Sequence, residues 1–201
     1  MSKGLKIGLG ILGVVVLFII LTVSWVTGKY NSFVGLNENV KSAWSQVENV
    51  YQRRADLVPN LVATVKGVAN FEKETYTAVT EARAKVGQIK LTADQLSDPA
   101  MIQKFQAAQD GLGSALSRLL VVSENYPQLK ANENFLQLQA QLEGTENRIA
   151  VERQKYNQIA AEFNTAIKKF PGVIIANFGG FKEKEYFKMQ AGSDQTPKVQ
   201  F

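Results

Sequence analysis

A chain of 201 residues with 23 basic and 18 acidic side chains carries a net charge of +5, and it contains neither cysteine nor histidine. Without cysteine there is no disulfide framework and no thiolate metal site. Without histidine the commonest general base, the commonest transition-metal ligand and the usual pH switch are missing, which argues against most enzyme classes.

The first element is IGLGILGVVVLFIILTVSWV, Ile7 to Val26, an uninterrupted run without a charge. A helix rising about 1.5 Å per residue makes this roughly 30 Å long, the thickness of a bilayer's hydrocarbon core. The run has no polar face, which a soluble core helix of this length would show. Trp25 and Tyr30 stand near its far end, where amphipathic rings favour the headgroup level, and Lys3, Lys6 and Lys29 bracket it. Residues 1–28 therefore read as a single N-terminal transmembrane anchor. A cleaved signal peptide fits less well, because the apolar core is too long and no small-residue cleavage site follows it. Lys3 and Lys6 before the run against Lys29 and Lys41 after it barely decide the orientation. Distance from the span places the N-terminus in the cytoplasm and the body on the exoplasmic side of the cell membrane, and the lack of cysteine fits an oxidising compartment.

Residues 29–189 read as one all-α domain. Leu36, Val40, Trp44 and Val47 begin a row that continues through Val58, Val62, Val65 and Ala69 to Tyr76, Val79 and Val86; a second row lies beside it. Two adjacent rows make the broad apolar face of a helix packed in a bundle. Pro59 interrupts the pattern without shifting its phase, which predicts one long helix kinked at Pro59, with Asn60 satisfying the carbonyl that proline frees. Gly67 is a weak point in it. Gly87 to Pro99 is a loop, closed by Ser97-Asp98-Pro99 as a helix start. The next helix carries Met101, Phe105, Ala108, Leu112, Ala115, Leu119, Val122 and Tyr126 in 4-3 spacing, a coiled-coil-like seam, with Gly111 and Gly113 beside it for close approach of a neighbour. Asn125-Tyr126-Pro127 ends it.

A longer helix follows from Ala131 to Lys169, about 58 Å, with Phe135, Leu138, Leu142, Ile149, Tyr156, Ile159, Phe163 and Ile167 on its apolar face and Glu152–Lys155 as its best-spaced ion pair. Phe170-Pro171-Gly172 stops it. Ile174-Ile175-Ala176 is a short apolar turn. The segment to Phe187, rich in Phe178, Phe181 and Phe187, is expected to cover the bundle and bury its aromatics, and residues 190–201 read as a flexible tail. The expected architecture is a transmembrane helix followed by a long antiparallel bundle of three long helices, or four if Pro59 divides the first.

Two separated motifs and the chain's end are specific. Ala43-Trp44-Ser45 precedes Arg53-Arg54-Ala55-Asp56-Leu57-Val58-Pro59-Asn60-Leu61-Val62; Glu146-Asn147-Arg148-Ile149 precedes Arg153, Tyr156-Asn157 and Phe163-Asn164; Phe170-Pro171 leads into the aromatic end. In this order they closely resemble the LemA family, from the anchor onward. The resemblance implies an N-terminal transmembrane helix, an α-helical bundle and no established enzyme activity, with a molecular role that is itself uncertain. Family members often carry a histidine near Asn70-Phe71-Glu72, which this chain lacks, so a catalytic or metal role for that turn loses its support.

Candidate site residues follow from these motifs. Arg53, Arg54 and Asp56 form the sharpest polar cluster: either a docking site for a carboxylate or phosphate, or, as the mid-helix position favours, an internal pairing of Arg53 or Arg54 with Glu146 or Glu143 inside the bundle. Asn157 and Asn164 lie seven apart, either reading a partner's backbone or fixing helix register. Lys182, Lys184 and Lys188 interleave with Phe181, Tyr186 and Phe187, which suits a membrane-surface segment, although Glu183 and Glu185 dilute the charge and favour bundle cover. Glu143, Glu146 and Glu152 lack the histidines of a di-metal bundle, and no catalytic, cofactor or metal residue is assigned. The sequence reads as a membrane-anchored, non-enzymatic scaffold that meets a protein partner or copies of itself, with no nucleic acid and no small-molecule substrate. The alternative is an accessory subunit of a membrane or envelope protease or hydrolase.

Overall fold

The computed structural model describes residues 3–68 and 71–188. Among these the regular structure is helical: α1 Lys3–Lys66, α2 Lys73–Gln88, a 3-10 turn at Ala93–Ser97, α3 Pro99–Ser123, α4 Pro127–Lys130, α5 Glu133–Lys168 and α6 Gly172–Phe178. The expected flexible tail lies outside the described residues.

α1 is continuous from the apolar run into the body, 64 residues or about 96 Å at the standard rise. Its first half is exposed along every side; burial begins at Phe33. α1 lies along α5 in the opposite direction: Phe33 meets the start of α6, Trp44 meets Tyr156, and Arg54 meets Glu146. α2 packs against both α3 and α1.

Pro59 does not end α1. Proline has no N–H, so the Ala55 carbonyl one turn earlier loses its helical donor. Arg83 of α2 replaces that donor, its Nε reaching the Ala55 oxygen at 2.8 Å. The sequence pattern assigns this role to Asn60; instead Asn60 is exposed, and its own carbonyl accepts the Thr64 hydroxyl at 2.9 Å.

Two further expectations are corrected. The apolar rows predict a first long helix reaching Val86, but α1 stops at Lys66, where Gly67 N–H bonds back to Ala63 and Thr64, and α2 begins afresh at Lys73. The apolar rows stay in phase across the break because both helices face the same core, so periodicity alone cannot reveal the turn. The buried stripe of α3 is Ile102, Phe105, Gln109, Leu112, Leu116, Leu119 and Ser123, not the Met101–Tyr126 seam. The seams share Phe105, Leu112 and Leu119, but polar Gln109 and Ser123 stand on the buried side and disguise it.

Helix ends follow local chemistry. The Asp98 carboxylate accepts from the N–H groups of Ala100 and Met101, with Pro99 at the first helical position. The Asn132 side chain caps α5 through Phe135 N–H at 3.1 Å. Gly172 lets α6 approach α1: a Cβ there would stand 3.0 Å from the Phe33 ring. Gly180 has φ +72°, the left-handed region that favours glycine, and turns the chain out of α6.

The core has two parts. One is aromatic, built from Phe33, Trp44, Tyr51, Phe105, Tyr156, Phe163 and Phe187 among others. The other is aliphatic, with Leu57, Leu61, Val65, Leu112, Leu119, Leu129 and Leu142 among its members. Burial of each large side chain contributes about 1.5–3 kcal/mol.

Candidate functional site

The motif residues sort into three groups. The first lies between the two core clusters. Arg54 is 3 % exposed. It donates to Glu146 at 2.9 and 3.2 Å, and its other terminal nitrogen donates to the Gln109 backbone oxygen at 2.9 Å and to the Gln109 side chain. Along α1, Arg54 falls between Tyr51 and Leu57; along α3, Gln109 falls between Phe105 and Leu112; along α5, Glu146 falls between Leu142 and Ile149. Three helices thus place one polar residue each at the same level. The guanidinium also lies 5.2 Å from the Tyr51 ring centre. A Cβ at Gly113 would stand in ordinary contact with Arg54, at 3.5 Å, and one at Gly111 would face open space, so neither glycine is there for close helix approach as the sequence suggests. Glu146 itself is exposed, with its side chain 46 % accessible, so the pair is half-open to solvent. A shallow cleft beside it is lined by Asp110, Ser114, Glu143 and Glu146.

The second group holds the C-terminal segment. The Asn164 amide donates to the Lys184 carbonyl at 2.8 Å and accepts from the Lys184 N–H at 2.8 Å. Asn157 does the same with Phe187, at 3.0 and 2.9 Å. Seven helical residues advance about 10.5 Å, and three extended residues advance about 10 Å, so the spacing on α5 matches the segment it grips. Tyr156 O–H donates to Glu185 O at 3.1 Å, Arg153 donates to Lys188 O at 2.6 Å, and Glu185 N–H bonds Leu96 O at 2.9 Å. The two asparagines therefore read backbone, but it is this chain's own.

Around this segment the rings close. Trp44 is 2 % exposed, stacks on Phe187 at 6.0 Å, and meets Phe105 edge-on at 5.3 Å. Its indole N–H is buried without a hydrogen-bond acceptor among the described residues. Arg153 lies over the Phe187 ring at 5.0 Å. Burial raises the Tyr156 hydroxyl's pKa well above the usual phenol range, with Glu185 and then Tyr186 adding to the shift. Burial also lowers the Lys184 ammonium's pKa. Phe187 is buried and Phe181 partly so, but Phe178 is 90 % exposed and Tyr186 41 % exposed, against the expectation that the segment buries its aromatics. Gly180 explains the difference: the chain turns there, so Phe178 ends α6 on its outer side and Phe181 starts the inward return.

The third group stays at the surface. Arg53, Asp56 and Asn60 are exposed and spaced three and four apart on one face of α1, with Asp56 accepting from Gln52 of its own helix at 3.0 Å. Arg148 is exposed on α5. Sequence reasoning missed Arg83, Gln109 and Leu96. Arg83 and Gln109 sit on faces that look ordinary in the sequence, and Leu96 lies in a predicted loop. The one available signal was Pro59, which guarantees a carbonyl needing a donor.

Residues 43–201 match the LemA family. This chain belongs to that family. The magnetosome protein MamQ of Magnetospirillum gryphiswaldense is 30 % identical over 207 residues, covering 94 % of this chain and 76 % of its own. Magnetosome protein MamQ 2 of Paramagnetospirillum magneticum is 30 % identical over 200 residues, covering 92 % and 73 %. Protein LemA of Metamycoplasma hominis is 27 % identical over 159 residues, covering 77 % and 68 %. The family match begins at the Ala43-Trp44-Ser45 motif, inside the buried part of α1, and not in the apolar run.

Proposed function

We propose that this LemA-family chain is a single-pass membrane protein whose non-enzymatic body is a rigid scaffold. The observation that carries the reading is the continuity of α1. One helix contains the only candidate span among the described residues, with none of that stretch buried, and the backbone of the body. A body built on its own anchor cannot swing freely about a linker, so it holds whatever binds it at a fixed height and angle.

Within this reading the polar layer of Arg54, Gln109 and Glu146 sets the register of three helices. A buried polar pairing penalises any slip that would strand it against apolar neighbours. The exposed stripe of Arg53, Asp56 and Asn60 is the contact face for other copies of the chain. The MamQ relatives are named as magnetosome proteins, and membership of a larger assembly is what a scaffold would supply.

The test is the full chain purified in detergent, its mass measured by light scattering and its neighbours by cross-linking, with Arg53→Glu and Asp56→Lys as variants. Homo-oligomers that weaken in each single variant and recover in the charge-swapped double variant support self-assembly. A monomer that co-purifies with a stoichiometric hydrolase or protease overturns it in favour of the accessory-subunit role.

A further inference from the structure

Near the end of the body where the apolar run meets it, three large apolar side chains stand in solvent: Phe178 is 90 % exposed, Phe170 81 % and Ile174 51 %. Ile174 and Phe178 lie four apart on α6 and share a face, while Gly172, Ile175 and Ala176 supply its buried face. Large exposed apolar groups gathered in one place mark a contact surface.

Their depth can be counted along α1. Phe170 and Pro171 share a cleft with Lys29 and Ser32, the Phe33 ring sits against Gly172, and Tyr30 meets the Phe181 ring at 5.5 Å. Lys29 and Ser32 follow Val26 by three and six residues, so this corner lies about 4.5–9 Å beyond the apolar run. The headgroup layer of a bilayer is about 5–8 Å thick on each side. Lys29, Lys169 and Lys182 lie close to these residues in the chain or the cleft and are exposed. Aromatic rings with interleaved lysines are the composition that settles at that depth. Two Phe and one Ile offer roughly 400–500 Å², well short of the about 800 Å² per partner of a stable protein interface.

We propose that Phe170, Ile174 and Phe178 insert into the headgroup layer beside the span, a second and shallow lipid contact that fixes the tilt of the body over the membrane. This rests on Ile7–Val26 being the span. The chain has no native cysteine, so single probes report cleanly. Val15→Cys, Ile174→Cys, Phe178→Cys and Ser114→Cys variants of the full chain carry an environment-sensitive fluorophore. They are reconstituted in phosphatidylcholine vesicles containing phosphatidylglycerol, with nitroxide lipids labelled near the headgroup or near the chain end as quenchers.

The expected result is quenching at residue 15 by the deep nitroxide. At residues 174 and 178 the emission is blue-shifted and the shallow nitroxide quenches several-fold more than at residue 114. Emission at 174 and 178 matching that at 114, with 15 still quenched, overturns the lipid contact and leaves the anchor standing. A blue shift at 178 without lipid quenching means protein covers the patch, from a second copy or from residues 189–201, and overturns it too. No quenching at 15 removes the anchor and the proposal with it.

Discussion

Pro59 and Arg83 make a closed test of how α1 stays whole. Arg83→Met keeps most of the aliphatic stem but removes the donor from the Ala55 carbonyl, a 2.8 Å bond at an exposed site. Losing such a bond costs about 1 kcal/mol net, since water partly replaces it. For a chain of this size that is about 2–4 °C in the unfolding midpoint. In a Pro59→Ala background the backbone N–H restored at that position reaches Ala55 O along the helix itself, and Arg83→Met then falls to the surface norm, within about 0.5 kcal/mol. The coupling energy of the cycle is therefore about 1 kcal/mol. The measurement is helical ellipticity against temperature for wild type, both single variants and the double, as full chains in one detergent. Equal losses from Arg83→Met in both backgrounds would refute the account and leave Arg83 an ordinary surface residue.

Three other outcomes follow from the same geometry. Arg54→Met strands the buried Gln109 acceptors while leaving Glu146 in solvent, costing roughly 1–3 kcal/mol, whereas Arg53→Ala on the exposed side changes stability by less than about 0.5 kcal/mol; comparable losses in the two thermal melts would contradict the placement of Arg54 inside and Arg53 outside. Asn164→Asp keeps the acceptor for Lys184 N–H but sets a carboxylate oxygen against Lys184 O, so hydrogen exchange at the Lys184 and Phe187 amides should accelerate at least tenfold while the amides of α1 near Trp44 change little. Tyr156 ionises less readily folded than unfolded because burial raises its pKa. Folding thus keeps a proton that the unfolded phenol releases above its ordinary value of 10.0, and stability falls as pH rises through that value and beyond. Tyr156→Phe lacks this loss, so the difference between the two proteins' stabilities should move in favour of the variant by up to about 1.4 kcal/mol per pH unit above about 10; parallel pH curves would show the hydroxyl titrating normally.

Much of this protein was readable in one dimension because its information is periodic and local. The apolar run, the helical spacing from Leu36 onward, the Asp98-Pro99 start and the Phe170-Pro171 stop each depend on residues within a few turns, and helix formation answers to the same range. That Arg53 or Arg54 would pair with Glu146 or Glu143 was legible because a buried mid-helix arginine needs a partner; the choice of Arg54 and Glu146 came with the packing of the helices. Tertiary structure decided what depends on which faces meet. Gly67 turns the chain although the apolar rows keep their phase, because two helices of a hairpin can face one core. Arg83 serves the carbonyl freed by Pro59 because α2 folds back beside α1, a proximity no spacing within α1 encodes. Asn157 and Asn164 grip the chain's own C-terminal segment because Gly180 and the end of α6 return it along α5. Phe178 stays outside for the same reason: it stands before that turn, and only the path of the backbone distinguishes it from Phe181 and Phe187.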